Sequence, residues 1–205
     1  GLISCFKAFG HPEYLELALA NAIFLKQKLI GKRGRLFHSY KNNQSKITGF
    51  LEDYAFVIEA FIAIFEVTGQ ILWLEEAQRL TEITFSDFYD EQKSIFYFTS
   101  NDQKDLITRT IEVHDNVIPA SNSVMAKNLY RLSYLLNRAD YLKTAGNMLN
   151  LVIANIPDYP SGYSNWSQLL LNLAGNPVEV AVTVENDIQL LNQLQKNYLP
   201  NVIFC

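Results

Sequence analysis

The 205 residues are 49% hydrophobic and carry a net charge of −4, enough apolar material to bury a sizeable core and too little basic excess for a nucleic-acid surface. No apolar run reaches the roughly 18 residues that cross a bilayer, so no membrane partner is expected. The two cysteines, Cys5 and Cys205, stand at opposite ends and form no disulfide framework, which makes a reducing, cytoplasmic setting the expectation.

Three segments align on one another without gaps. They run over 6–18, 65–77 and 133–145, and each has Gly10, Gly69 or Asn137 at a hinge. Four places on stands an aromatic residue (Tyr14, Trp73 or Tyr141), then leucine, then alanine three later (Ala18, Ala77 or Ala145). Glycine and asparagine tolerate the left-handed conformation that ends a helix. The aromatic-Leu-x-x-Ala group supplies one face of the helix that follows, and the small alanine allows close approach to a neighbour. Recurrence of this kind marks a repeated α-hairpin.

In chain order the pattern predicts a first hairpin bent at Gly10 and a short strand over 35–40. An inner helix over 50–67 is apolar on nearly every side, as a helix packed all round should be. Its outer partner spans 71–88 and has a wet face. Residues 95–99 and 106–110 flank the turn-like Asn101-Asp102 and predict a β-hairpin. A third inner helix covers 121–136 with an outer partner over 141–155, and a fourth inner helix covers 164–173. A strand over 178–184, an amphipathic helix over 186–197 and a strand over 201–204 then form a small β-α-β tail. The expected class is therefore all-α, with short β-hairpin insertions. Residues 1–176 form the helical-hairpin domain and 177–205 the tail. The chain opens without an initiator Met, which suggests a piece of something longer.

The long connections at 31–48, 90–120 and 157–162 all enter inner helices at the same end, so their side chains gather on one rim. Glu52 and Asp53 sit in the first turn of the central inner helix. There they either complement the helix dipole or face a central cavity as acid, base or ligand-binding groups. Neighbouring helical positions point about 100° apart, so these two cannot form a facing pair. Asp115 is the natural second carboxylate, since a glycosidase-type pair stands across its substrate. The stretch from His114 to Ser123 crowds polar residues where a single cap would suffice, and reads either as caps or as a polar network lining the rim. Tyr40 and Trp166 are placed to stack on a sugar ring or to fill the core. Arg109, His114 and Asn122 would orient a substrate. Three scattered histidines and no clustered cysteines argue against a metal site. Neither a phosphate-cradling glycine loop nor a Gly-x-Ser-x-Gly elbow is present, so no cofactor is expected.

Gly49-Phe50-Leu51-Glu52-Asp53-Tyr54-Ala55-Phe56 and the stretch His114-Asp115-Asn116-Val117-Ile118-Pro119-Ala120-Ser121-Asn122-Ser123 resemble motifs of the thioredoxin-domain-containing, spermatogenesis-associated-type proteins. In the second motif, Asn116-Val117 and Ala120-Ser121 replace the small residues usual in that family. The resemblance covers essentially the whole chain. It implies part of an (α/α)6 toroid similar to six-hairpin glycosidases and N-acylglucosamine 2-epimerases, preceded in the full protein by a thioredoxin-like domain. The epimerases use paired histidine bases on inner helices, and no inner helix here carries one.

Two function classes follow. One is a carbohydrate-binding or carbohydrate-active site, with Glu52, Asp53 and Asp115 as acid/base groups and Tyr40, Arg109, His114, Asn122 and Trp166 as binding groups. The other is a non-catalytic scaffold that partners the thioredoxin-like domain. An uncovered flank of such a partial toroid would favour homo-oligomers.

Overall fold

The computed structural model describes residues 1–103, 108–175, 177–182, 188–197, 199 and 201–205. The fold is mainly α. Helix α1 (Leu2–Phe9) turns at Gly10 into α2 (Pro12–Phe24), which widens into a π turn at Leu25–Leu29. Strands β1 (Phe37–Lys41) and β2 (Gln44–Thr48) pair antiparallel. Then come α3 (Leu51–Thr68) and α4 (Ile71–Asp87), followed by the two-residue strands β3 (Tyr89–Asp90) and β4 (Ile95–Phe96). Helices α5 (Ser121–Leu135), α6 (Ala139–Asn150) and α7 (Ser164–Ala174) complete the hairpin series. Strand β5 (Val178–Val180), helix α8 (Ile188–Gln195) and strand β6 (Val202–Phe204) form the tail.

All three predicted hinges are left-handed: φ is 72° at Gly10, 65° at Gly69 and 52° at Asn137. At the two glycines the amide closes the helix by donating to Phe6 O and Phe65 O, four residues back. The motif after each hinge does the job its composition suggests. Trp73 and Tyr141 are both buried, and Ala18, Ala77 and Ala145 are 8%, 0% and 0% exposed. Alanine at these positions lets each outer helix close on its neighbours without a side chain in the way.

Helices α1, α3, α5 and α7 pack side by side in sequence, while α2, α4 and α6 each lie on the partner that precedes them. The result is two layers. Helix α3 sits between α1, α4 and α5, which is why Leu51, Tyr54, Ile58, Phe61, Ile62 and Phe65 all vanish from solvent. One stripe of α3 stays open, with Glu59 and Ala60 exposed and Glu52, Phe56 and Ala63 half-buried. Cross-ties lock the layer. Asn128 Nδ2 donates to Ala55 O at 2.8 Å, and buried Glu66 forms ion pairs with Lys7 of α1 and Arg131 of α5. From the tail, Gln195 Nε2 donates to Glu66 O at 2.7 Å, and Ile203 and Phe204 bury against the helices.

Three local expectations change. The strand predicted at 35–40 has a partner, β2, joined to β1 through Asn42 and Asn43, both at positive φ as a two-residue hairpin of type I′ requires. Strand β4 pairs with β3 rather than with residues beyond Asn101-Asp102, because a tight turn with Ser94 at positive φ reaches Tyr89 first. Among the described residues, Phe98 N donating to Thr110 O is the backbone–backbone hydrogen bond that links 95–99 to the later segment. The rest of that prediction, over 106–107, lies outside the described residues. Helix α6 ends at Asn150, and the remainder to Asn155 is turn and a 3-10 segment. In the tail β5 and β6 pair in parallel, while 183–187 of the predicted strand and helix lie outside the described residues.

Candidate functional site

The connections do gather at the N-terminal ends of α3, α5 and α7. Helix α3 starts there because Asp53 folds back on its own first turn. Its Oδ2 accepts the Phe50 N–H at 2.8 Å, satisfying one of the donors a helix start leaves open. The same carboxylate lies 3.0 Å from His38 Nδ1 on β1, so one side chain fixes the helix start and orients an imidazole. The His38 ring meets Phe50 edge-on, and Phe50 stacks on Phe98 at 5.1 Å. Glu52 is placed differently. Among the described residues its carboxylate has no hydrogen bond or ion pair. Partial burial, then the like charges of Asp53 and Glu112, hold its carboxyl above the ordinary glutamate range.

Asp115 is buried at 6% exposure and fully engaged. Its Oδ1 accepts the Ala120 N–H at 2.9 Å and the Ser123 hydroxyl at 2.7 Å, and its Oδ2 accepts the Asn165 N–H at 2.8 Å. One carboxylate therefore caps α5 and α7 together, where both helix dipoles favour negative charge. Asn122, wholly buried, works in the same structural sense. Its Oδ1 accepts Phe96 N–H, and its Nδ2 donates to Phe96 O and Glu112 O, each within 3.0 Å.

The remaining candidates divide. Trp166 is 0% exposed, and its Nε1 donates to Val113 O at 2.8 Å, so it holds the loop from below rather than offering a ring face. Arg109 donates to Thr99 O and Asp87 O and lies 4.1 Å from the Tyr97 ring centroid. It ties the loop to the end of α4. Tyr40 is near the β-hairpin tip, donating to Asn43 Oδ1 and meeting Phe24 edge-on. His114 is exposed, with Nε2 2.9 Å from the Tyr163 hydroxyl. It lines a pocket of about 180 Å³ with Glu112 and the backbone turn 116–120. The structure thus brings Glu52 and Asp53 to one patch, with His38 and Glu112. It brings Asp115, Asn122 and Trp166 into the supporting layer, and it leaves Tyr40 at the hairpin tip. His38 and Glu112 were absent from the expected set. The signal that could have found His38 is a β1 residue placed to meet the first turn of the next helix.

No family model matches the chain. Spermatogenesis-associated protein 20 of Rattus norvegicus is 30% identical over 166 residues, which cover 76% of this chain and 20% of that protein. Its Mus musculus counterpart is 31% identical over 146 residues, 66% of this chain and 18% of that protein. The chain is homologous to part of spermatogenesis-associated protein 20. An uncharacterized Caenorhabditis elegans protein is 25% identical over 181 residues, 81% of this chain and 24% of its own length. The chain thus spans about a fifth to a quarter of the curated relatives it matches. These likenesses support the family resemblance read from the Gly49–Phe56 and His114–Ser123 motifs. Among the described residues, no helix is long and apolar enough to cross a membrane, and no cluster of three or more His, Cys, Asp or Glu is placed to hold a metal ion.

Proposed function

We propose that the rim formed by the β1–β2 hairpin, the start of α3 and the loop before α5 binds a carbohydrate, with Glu52 as its proton-donating or hydroxyl-binding carboxyl. The observation that carries this reading is the contrast among the three acids. Asp115 and Asp53 are committed to helix starts, whereas Glu52 keeps a free carboxyl at the rim, raised by burial and by Asp53 and Glu112. A carboxyl so raised suits a general acid. The Asp53-oriented His38 stands beside it, with Nε2 left for a hydroxyl. The toroid completed by preceding hairpins, and any reaction, belong to this proposal. So do the thioredoxin-like domain of the full-length protein and a cytoplasmic setting. Calorimetric titration of the full-length protein with a panel of mono- and disaccharides is the test. Saturable binding weakened by Glu52→Gln supports the reading, and binding by no sugar, or binding indifferent to Glu52→Gln, overturns it.

A second reading is favoured by the Asp115 geometry. A loop held this firmly at both adjoining helices, with Val117 94% exposed at its tip beside exposed Ile118, suits a scaffold that docks a protein. Under this reading the thioredoxin-like domain binds the 205-residue chain, and Val117→Asp weakens that binding while sugars do nothing.

A further inference from the structure

Below the rim, Lys127 of α5 is held in an arrangement that a structural tie does not require. Its Nζ donates to Asn165 Oδ1 and to Gln168 Oε1 of α7, each at 2.8 Å. Both acceptors are neutral. Among the described residues no carboxylate contacts the ammonium. Glu59 on α3 and Asp115 are near enough for their fields to be felt, and neither forms an ion pair with it. Arg131, one turn further along α5, already pairs with Glu66.

The orientation of the amide that holds Lys127 is dictated from below. Asp115 Oδ1 accepts a hydrogen bond from the Ser123 hydroxyl at 2.7 Å, and Ser123 Oγ in turn accepts from Asn165 Nδ2 at 2.9 Å. Asn165 is therefore turned with its oxygen toward Lys127. Flipping it would set its NH2 against an ammonium and its oxygen against a hydroxyl whose proton is already given. Every donor in the series Lys127, Asn165, Ser123 points toward Asp115, and the series is buried except at its Lys127 end.

An ammonium has three N–H donors, and two are used. Bridging α5 to α7 could be done by an uncharged amide. Withdrawing a charge from water with no counter-ion in contact costs free energy, which two hydrogen bonds to neutral amides offset only in part. Lys127 is half-buried, with exposed Gln168 beside it and exposed Glu59 on the facing stripe of α3, so its third N–H is reachable from the open side of the inner layer. We infer that Lys127 anchors an anionic oxygen, carboxylate or phosphate, of a small ligand lying on that open side. Gln168 donates from its amide nitrogen to the same ligand. The site is distinct from the Glu52 patch and does not rest on the carbohydrate reading.

The test follows the Gln168 side-chain amide NMR signals, present in wild type and variants alike, in the 205-residue chain during titration with sodium acetate, inorganic phosphate and sodium glucuronate at constant ionic strength set by sodium chloride. A saturable shift at Gln168 is expected with at least one of the three. Glucuronate alone would mark a sugar acid, phosphate alone a phosphorylated ligand, and all three a general anion site. Affinity should fall about tenfold or more in Lys127→Met and stay within about threefold in Lys127→Arg, as expected for a charge-assisted contact. Absence of any saturable shift, or equal affinity in Lys127→Met of native helicity, overturns the inference. If Lys127→Met does not fold, the wild-type titration decides alone.

Discussion

Replacing Asp115 by alanine tests whether this acid builds the rim. The change removes the acceptor for Ala120 N–H and for Asn165 N–H, the starts of two different helices. Loss of a side-chain cap costs about 1–2 kcal/mol per helix, so the two together cost about 2–4 kcal/mol. Ser123 adds little, because its hydroxyl can turn to Ala120 O, already 2.9 Å away. A net destabilisation of about 3 kcal/mol, the middle of that range, is expected. At roughly 2–4 °C per kcal/mol for a chain of this size, the thermal midpoint should fall by about 6–12 °C. Asp115→Asn keeps one acceptor and can serve only one helix at a time, so it should lose about half as much. Urea unfolding followed by circular dichroism reads both variants. A loss below about 1 kcal/mol for Asp115→Ala would refute the double-cap assignment.

Three further outcomes follow from the same geometry. Because the folded state raises the Glu52 carboxyl above its ordinary value of 4.5, folding favours the protonated form. The Glu52 contribution is therefore fully present below about 4.5 and lost as pH rises through the raised value. Glu52→Gln should then gain on the wild type in urea midpoint at pH 7 and match it at pH 4, and a loss at pH 7 contradicts this. Gly69→Ala should cost about 1–2 kcal/mol from its left-handed backbone alone, since nothing lies within 4 Å of an added Cβ, while Asn137→Gly should be neutral or slightly stabilising. A larger loss in Gly69→Ala thermal melts would point to packing instead. Finally, exposed Leu17 and Phe24 on α2 should drive self-association at micromolar concentration; sedimentation should show the Leu17→Glu, Phe24→Lys double variant as a monomer, and a monomeric wild type refutes it.

Helix positions, hinges and the burial of the aromatic-Leu-x-x-Ala face were legible because each depends on neighbours within a turn or two. A glycine or asparagine that must adopt positive φ declares itself locally, and so does an apolar run on every face of 50–67. Destinations of polar side chains were not legible. Asp115 meets Asn165 fifty residues on, and Trp166 meets Val113 fifty-three residues back, contacts that no local spacing encodes. Arg109 was expected to orient a substrate, yet the carbonyl groups of Asp87, at the end of α4, and of Thr99 claim it. The β3–β4 turn was hidden for a related reason. It is held by Asp90 Oδ1 accepting from Gln92 N and Lys93 N, with no glycine or proline to announce it.

The repeat also shows why one position can be charged in one copy and apolar in another. Shifted by the 59-residue interval, Leu17, Ala20 and Phe24 of α2 correspond to Glu76, Arg79 and Ile83 of α4. In α4 that stripe is where the preceding hairpin attaches. Glu76 pairs with Lys26 at 3.1 Å, and Arg79 Nη1 donates to Gly34 O at 3.1 Å. Gly34 leaves no room for a side chain there, since an added Cβ would lie 2.2 Å from Arg79 Nη1 and 3.3 Å from Ile83 Cδ1. In α2 the corresponding stripe stays largely in solvent, with the Tyr40 ring edge-on to Phe24, although it is the more apolar of the two: Leu17 is 57% and Phe24 40% exposed. Solvent contact alone would favour polar residues here, as it does at Glu13, Glu16 and Asn21 on the same helix. Self-association through this stripe would bury those apolar side chains, whereas α4 receives the first hairpin by an ion pair and a bond to a backbone carbonyl.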